Sequence, residues 1–250
     1  MNNTENQIET LTRLAKELRL GGFLKGLENQ FANEASYSGI SFYKRLEELF
    51  QREVAVRKER SYQRLLKQGS LKYPLSFEQI RFTALDGVSE EELQYLMGNS
   101  WLYGVTAVNI LIMGPCGVGK TSLACCLLNN IAKEGDSVKF CRMCDLSVEI
   151  MTMSGNPAGL KSLQDKLAKY KVLAIDDLGA EPLTTEVVSF LYGLIDSRAP
   201  VKPTIVTTQL KPSGIIAALG SNSQAEAIVD RLMKPCKMIT LEGKSKRPTV

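Results

Sequence analysis

The stretch Asn109 to Ala124, NILIMGPCGVGKTSLA, constrains the fold more than any other part of the chain. A four-residue apolar run, Ile110 to Met113, enters a glycine-rich segment, and a helix-forming run follows through Ser122, Leu123 and Ala124. Gly114, Gly119, Lys120 and Thr121 fit G-x-x-x-x-G-K-[ST], the phosphate loop between a strand and a helix. Each residue type meets a physical need. Gly114, Gly117 and Gly119 carry no Cβ, so the backbone can take positive φ and bring N–H groups up to a polyphosphate. The helix that starts near Gly119 aims unpaired N–H groups and the positive end of its dipole at the same anion. Lys120 supplies a point charge for the β- and γ-phosphates, and Thr121 a hydroxyl for Mg²⁺. A glycine turn that only joined a core strand to a helix would not need the Lys-Thr pair.

Beyond this loop the chain alternates. The pattern predicts helix from Lys120 to about Lys133, strand Ser137–Cys141, helices Cys144–Met153 and Ala158–Lys169, and strand Lys171–Ile175. Helix then runs to Ser197 from a Thr184 or Thr185 cap, followed by strand Pro203–Thr208, helix Gln224–Met233 and a last strand Cys236–Leu241. Five strands alternating with helices of this length make an α/β domain, a parallel sheet with helices on both faces. Ligands in such sheets bind at the carboxyl ends of the strands.

The run VLAIDDLG supplies the other half of an ATP site. Asp176 appears where a buried strand emerges, placed to hold Mg²⁺ opposite Thr121, and Asp177 points toward a γ-phosphate, able to orient or deprotonate water. A paired-Asp turn is common alone; following a phosphate loop by some fifty residues, with strand Ser137–Cys141 between, it carries function. Thr207, Thr208 and Gln209 end a strand expected between the two motif strands in that architecture. The Gln209 amide offers donor and acceptor together, fitting a γ-phosphate and its attacking water. Arg231 either pairs internally with Asp230 or Glu226 or reaches a neighbouring subunit's γ-phosphate; spacing favours the internal pair.

Upstream, apolar residues from Leu11 to Phe31 recur at helical spacing, as two amphipathic helices broken at Gly21–Gly22. After a polar turn, Asn33–Gly39, a long helix follows Ser41, basic in its later half: Arg52, Arg57, Lys58, Arg60, Arg64 and Lys67, then Lys72. Glu53 and Glu59 offset part of that charge, which leaves both a solvated face and a surface for DNA backbone or an acidic partner open. Phe77–Leu85 is a connector, Asp86–Gly98 a short helix capped by Ser89, and Trp101 a packing anchor. The expected domains are a helical one over 1–80 and an ATPase over 81–250.

A net charge of +4 permits nucleic-acid binding without demanding it. With no histidine, imidazole acid–base chemistry and most zinc sites are excluded. The six cysteines, Cys141-x-x-Cys144 included, form no second metal-type pair and fit reduced thiols in a cytosol. No window reaches 18 apolar residues, so the expected location is cytoplasmic.

These residues resemble the IstB family, helper ATPases of insertion-sequence transposition, in the AAA+ group that includes the DnaC helicase loaders. The resemblance is carried by Asn109–Ala124, AIDDLG at 174–179, PTIVTTQL at 203–210, EAIVDRL at 226–232 and LEGKSKR at 241–247, with LRLGGF at 18–23 and ISFYKRL at 40–46. It implies a P-loop AAA+ domain behind a small all-α N-terminal domain, with Gly114, Pro115, Cys116, Gly117, Val118, Gly119, Lys120, Thr121 and Ser122 on the phosphates of ATP. Asp176 and Asp177 become the Walker B pair and Gln209 the first sensor. Arg231 becomes the arginine-finger candidate, and Arg198 and Arg247 match arginines that face nucleotide or neighbour. The implied activity is Mg²⁺-dependent ATP hydrolysis, with a homo-oligomer holding ATP at its subunit interfaces on duplex DNA and a partner transposase as client. A DnaC-like helicase loader is the alternative, as is a nucleotide-regulated DNA binder of negligible turnover; a transposase encoded next door would favour the first reading. Lys234, Lys246 and Pro212-Ser-Gly-Ile depart from the family pattern. About forty residues follow Gln209, too few for a full helical lid.

Overall fold

The computed structural model describes residues 3–81, 86–199 and 201–246, without the side chains of 3–7 and 81. Contacts divide the chain into a unit Met1–Arg64 and a unit Leu65–Val250.

The first unit is helical: α1 (Asn3–Glu17), α2 (Gly21–Ala32), the single turn α3 (Glu34–Tyr37) and α4 (Phe42–Gly69), whose last residues, Leu65–Gly69, count with the second unit. The break between α1 and α2 falls before the glycine pair, because Gly21 and Gly22 open α2. Two causes put them there. The Glu53 carboxylate accepts hydrogen bonds from the N–H groups of Gly22 (2.7 Å) and Phe23 (3.1 Å), satisfying donors that a helix start leaves unpaired. Close packing does the rest: a Cβ on Gly22 would stand 2.9 Å from the Arg52 carbonyl oxygen, and one on Gly26 2.7 Å from the Leu49 side chain.

In the second unit α5 (Phe77–Arg81) occupies part of the predicted connector, and residues 82–85 lie outside the described ones. Next come α6 (Glu90–Met97) and α7 (Ser100–Tyr103). Ser89 and Glu92 form a reciprocal capping box at the start of α6. Trp101 is buried and donates from its indole N–H to the Leu96 carbonyl (3.1 Å). The sheet strands are β1 (Asn109–Met113), β2 (Val138–Arg142), β3 (Val172–Asp176), β4 (Thr204–Thr208) and β5 (Cys236–Thr240). Between them run α8 (Lys120–Lys133), α9 (Met143–Thr152), α10 (Pro157–Lys169), α11 (Thr185–Arg198), α12 (Pro212–Ala218) and α13 (Ser223–Met233). Helix α12 is an addition to the predicted elements; Pro212 supplies the fixed φ of a helix start where PSG suggested a loop.

The five strands are parallel in the order β2-β3-β4-β1-β5. Strand β4 therefore lies between the two motif strands, and β2, which separates them in sequence, forms an edge. Helix α8 packs against β1 to β4, with α5 and α6 on its outer side. Its whole middle, Leu123 to Asn129, is buried for that reason. A cluster built from α9 to α13, including Leu146, Ile150, Phe190, Leu194 and Ile228, covers inner-strand residues Leu111, Leu173 and Val206. No helix among the described residues is long and apolar enough to cross a membrane.

Candidate functional site

The loop after β1 takes the backbone its glycines allow. Gly114, Gly117 and Gly119 have φ of +149°, +82° and +106°. Space demands glycine as well: a Cβ on Gly114 would meet the Leu241 carbonyl oxygen at 2.3 Å, and one on Gly117 the Ser245 hydroxyl at 2.1 Å. The chain after β5 lies against the loop, with N–H donors from Leu241 to the Met113 carbonyl (2.8 Å) and from Lys246 to the Gly117 carbonyl (3.0 Å). Lys120 is buried, and its ammonium donates to the carbonyls of Gly114 (2.8 Å) and Pro115 (2.7 Å), folding back over the cradle.

Thr121 and Asp176 meet across 55 residues of sequence. The Thr121 hydroxyl lies 2.9 and 3.1 Å from the two carboxylate oxygens. Thr207, at the end of the intervening β4, donates its hydroxyl to Asp176 Oδ1 (2.6 Å) and accepts from the Asp177 N–H (2.9 Å). One buried hydroxyl thus holds the Asp176 carboxylate and the backbone of Asp177. Asp177 sits at φ +59°, a region that Asp visits more readily than most residues. The turn is held by Leu178 N–H to the Thr207 carbonyl (2.9 Å) and by the Thr208 hydroxyl to the Leu178 carbonyl (2.7 Å).

Asp176 is fully buried. Burial pushes its carboxyl above the ordinary value; hydrogen bonds from Thr207 and Thr121 oppose the rise, the Asp177 charge adds to it, and the Lys72 charge lowers it. A buried carboxylate whose nearest donors are neutral hydroxyls suits a hard divalent cation. One carboxylate with one hydroxyl is also the sparse protein ligand set that Mg²⁺ takes when phosphates and water complete its shell. Thr121 and Asp176 fit that ion.

A cleft of about 510 Å³ joins these parts, lined by Cys116 to Ser122, Asp177, Ala180 and Gln209, together with Lys72, Tyr73, Leu75, Ile80, Arg142 and Lys246. The motif residues Lys120, Thr121, Asp177 and Gln209 therefore share one space. Lys72, Arg142, Lys246 and the orienting Thr207 are site residues that motif reading did not assign. Arg142 could have been found from its place at the end of β2, level with Asp176.

The arginines separate. Arg198 does not belong to the cleft, which corrects the expectation that it faces nucleotide or neighbour. It is 1% exposed, and its guanidinium donates to the carbonyls of Leu167, Tyr170, Lys171 and Pro203 and to the Thr204 hydroxyl. It ties the end of α10 to the starts of β3 and β4, the opposite end of the strands from the phosphate loop. Burial lowers its pKa to about 10, so it stays charged at neutral pH. Arg231 is partly exposed, makes a 2.7 Å ion pair with Asp196 and lies over the Tyr192 ring. The internal partner is Asp196, while Asp230 pairs with Lys234. Arg247 lies outside the described residues. On α4, Arg52, Lys58, Arg60, Arg64 and Lys67 are exposed, whereas Arg57 pairs with buried Glu53 at 2.6 Å.

Comparison with known proteins agrees with this geometry. A protein named for ATP binding in insertion sequence IS1162 of Pseudomonas fluorescens is 36% identical over 208 residues, 82% of this chain and 87% of its own length. Another, y4pL of Sinorhizobium fredii, named likewise as an insertion-sequence ATP-binding protein, is 29% identical over 95% of each chain. Among solved structures, the DnaC helicase loader matches with a TM-score of 0.50 at 23% identity, over 68% of this chain and 93% of that one. DnaI matches with a TM-score of 0.53 at 20% identity, over 66% and 89%. These two likenesses show that the chain shares the fold of those structures. The IstB-like ATP binding protein family matches residues 13–249, and the chain belongs to that family.

Proposed function

We propose that this chain is an Mg²⁺-dependent ATPase that assembles on duplex DNA as a homo-oligomer and recruits or activates a partner transposase. The observation that carries the ATP chemistry is the Thr121–Asp176–Thr207–Asp177 network facing Lys120 across one cleft. The transposition role is supported by relatives named for insertion sequences.

In this reading the loop from Gly114 to Ser122 holds the phosphates, and Lys120 exchanges its two loop carbonyls for phosphate oxygens. Thr121 and Asp176 hold Mg²⁺, which when bound neutralises charge on the terminal phosphates. Asp177 orients or deprotonates the attacking water, its backbone N–H fixed by Thr207. Gln209 contacts both water and phosphate. Arg231 acts on a neighbouring subunit's nucleotide and must leave Asp196 to do so. The basic residues of α4 contact DNA phosphates, the helical domain serving DNA, partner and self-association while the ATPase domain switches.

The size of the complex, measured with ATP, ADP or no nucleotide and with or without duplex DNA, tests the reading. Wild type is expected to grow on DNA only with ATP. Lys120→Ala abolishes that growth, and Asp177→Asn traps the large form. Equal DNA binding by all three proteins, with and without ATP, would sink nucleotide control.

A further inference from the structure

Lys72 and Arg142 enter the nucleotide cleft from outside the motifs. They come from separate places, Lys72 from the segment after α4 and Arg142 from the last position of edge strand β2. Register puts Arg142 directly beside Asp176 on β3. Both residues also line a second cleft of about 380 Å³ that runs along β2, so they stand where the two spaces join. That junction is at the Asp176 end of the site, where the metal and the terminal phosphate belong. Their charges are uncommitted: among the described residues neither makes an ion pair or a side-chain hydrogen bond, and Lys72 only lies over the Tyr73 ring, 5.3 Å from its centre. Lys120 is committed to the β- and γ-phosphates and Thr121 to the metal, and the lining holds one acid, Asp177, so the further positive charge that Lys72 and Arg142 bring to this end matches the most highly charged part of a nucleoside triphosphate, its terminal phosphoryl group.

We infer that Lys72 and Arg142 are positioning residues for the terminal phosphate, and that they set the preference for a nucleoside triphosphate over a diphosphate. This rests on the nucleotide-binding reading above. Charge-assisted hydrogen bonds are the strong ones, but both side chains are solvent-accessible, which moderates the gain.

The test is equilibrium binding of Mg²⁺ with β,γ-methylene ATP and of Mg²⁺ with ADP to the full chain, its Lys72→Gln and Arg142→Gln variants, and Lys120→Ala. Each glutamine variant is expected to lose roughly fivefold to thirtyfold in affinity for the triphosphate and less than about twofold for ADP, the range of a charged hydrogen bond in a wet site. Lys72→Arg should restore most of the selectivity, which a misfolded protein could not do. Equal losses for both nucleotides, or no loss for either, would overturn the inference while leaving the phosphate loop standing. Undiminished binding by Lys120→Ala, or no binding by wild type, would overturn the nucleotide-binding reading and this inference with it.

Discussion

Burial lifts the carboxyl of Asp176 above its ordinary 3.8, and the hydroxyls of Thr207 and Thr121 undo only part of the rise. An acid with a folded-state pKa above its unfolded value holds its proton longer in the folded state. Its contribution to stability is therefore greatest below the unfolded pKa and is lost as pH rises through the folded pKa. At neutral pH without ligand, ionised Asp176 opposes folding. Asp176→Asn is expected to unfold at a higher temperature than wild type at about pH 7, with the gain shrinking as pH falls toward 3.8. Mg²⁺ and ATP should reverse that order, because only the carboxylate rewards the cation. Thermal unfolding across a pH series checks this; an Asn variant less stable than ligand-free wild type at neutral pH would contradict it. The meeting of Lys120 and Thr121, at the start of α8, with Asp176 and Asp177, at the end of β3, was legible in the sequence because a glycine loop before a helix and paired acids after a buried strand form a recognisable pattern. The double role of Thr207 was not, since a threonine at a strand end is also an ordinary β-former. Nor was the fate of Arg198, whose five partners are backbone and hydroxyl oxygens gathered by tertiary packing.

Glu53 decides how α2 begins. Its carboxylate serves the N–H groups of Gly22 and Phe23, is paired by Arg57, and is held below the usual carboxylate range by the Arg57 hydrogen bond first, against the opposing effect of burial. A depressed pKa contributes stability that is present above the unfolded value of 4.5 and is lost as pH falls through the folded value. Glu53→Gln should thus destabilise the α2–α4 pairing by about 1–3 kcal/mol at neutral pH, the loss of charged hydrogen bonds at a helix start, and by less in acid. Amide hydrogen exchange over Gly21–Ala32 reads this directly. Glu59→Gln, at an exposed residue whose side chain accepts from Gln63, is the control expected to change little. The same pair explains what sequence pattern could resolve at this scale. Apolar runs flanked by turn residues located the five strands, and periodicity located the long helices. The glycine pair looked like a break because a turn and a closely packed helix start both favour residues without a Cβ. Helices α5 and α12 escaped notice because a helix of one or two turns gives too few repeats for a period to stand out.

For the whole molecule, charge placement matters more than the net +4. Seven basic residues fall between Arg52 and Lys72 against Glu53 and Glu59. The structure removes one acid from that balance, Glu53, into the α2–α4 contact, while exposed Glu59 keeps its charge and accepts a 2.7 Å hydrogen bond from Gln63. It removes Arg57 as well, through Glu53 and a 3.4 Å contact with the Arg19 carbonyl. What stays available for the proposed DNA contact is Arg52, Lys58, Arg60, Arg64 and Lys67, which separates two kinds of variant. Each phosphate neutralised adds about 0.9 to the slope of log affinity against log salt. Arg60→Gln and Arg64→Gln should each weaken duplex binding on any sequence and lower that slope by about 1, with unfolding unchanged. Arg57→Gln should leave the slope nearly alone and instead reproduce the α2 exchange defect of Glu53→Gln, because its charge is spent inside the fold. Titrations of random duplexes over a salt series, with ATP present, distinguish these outcomes. If the Arg60 and Arg64 variants keep the wild-type slope, the basic row on α4 is a solvated face, and the DNA contact must lie on the ATPase unit.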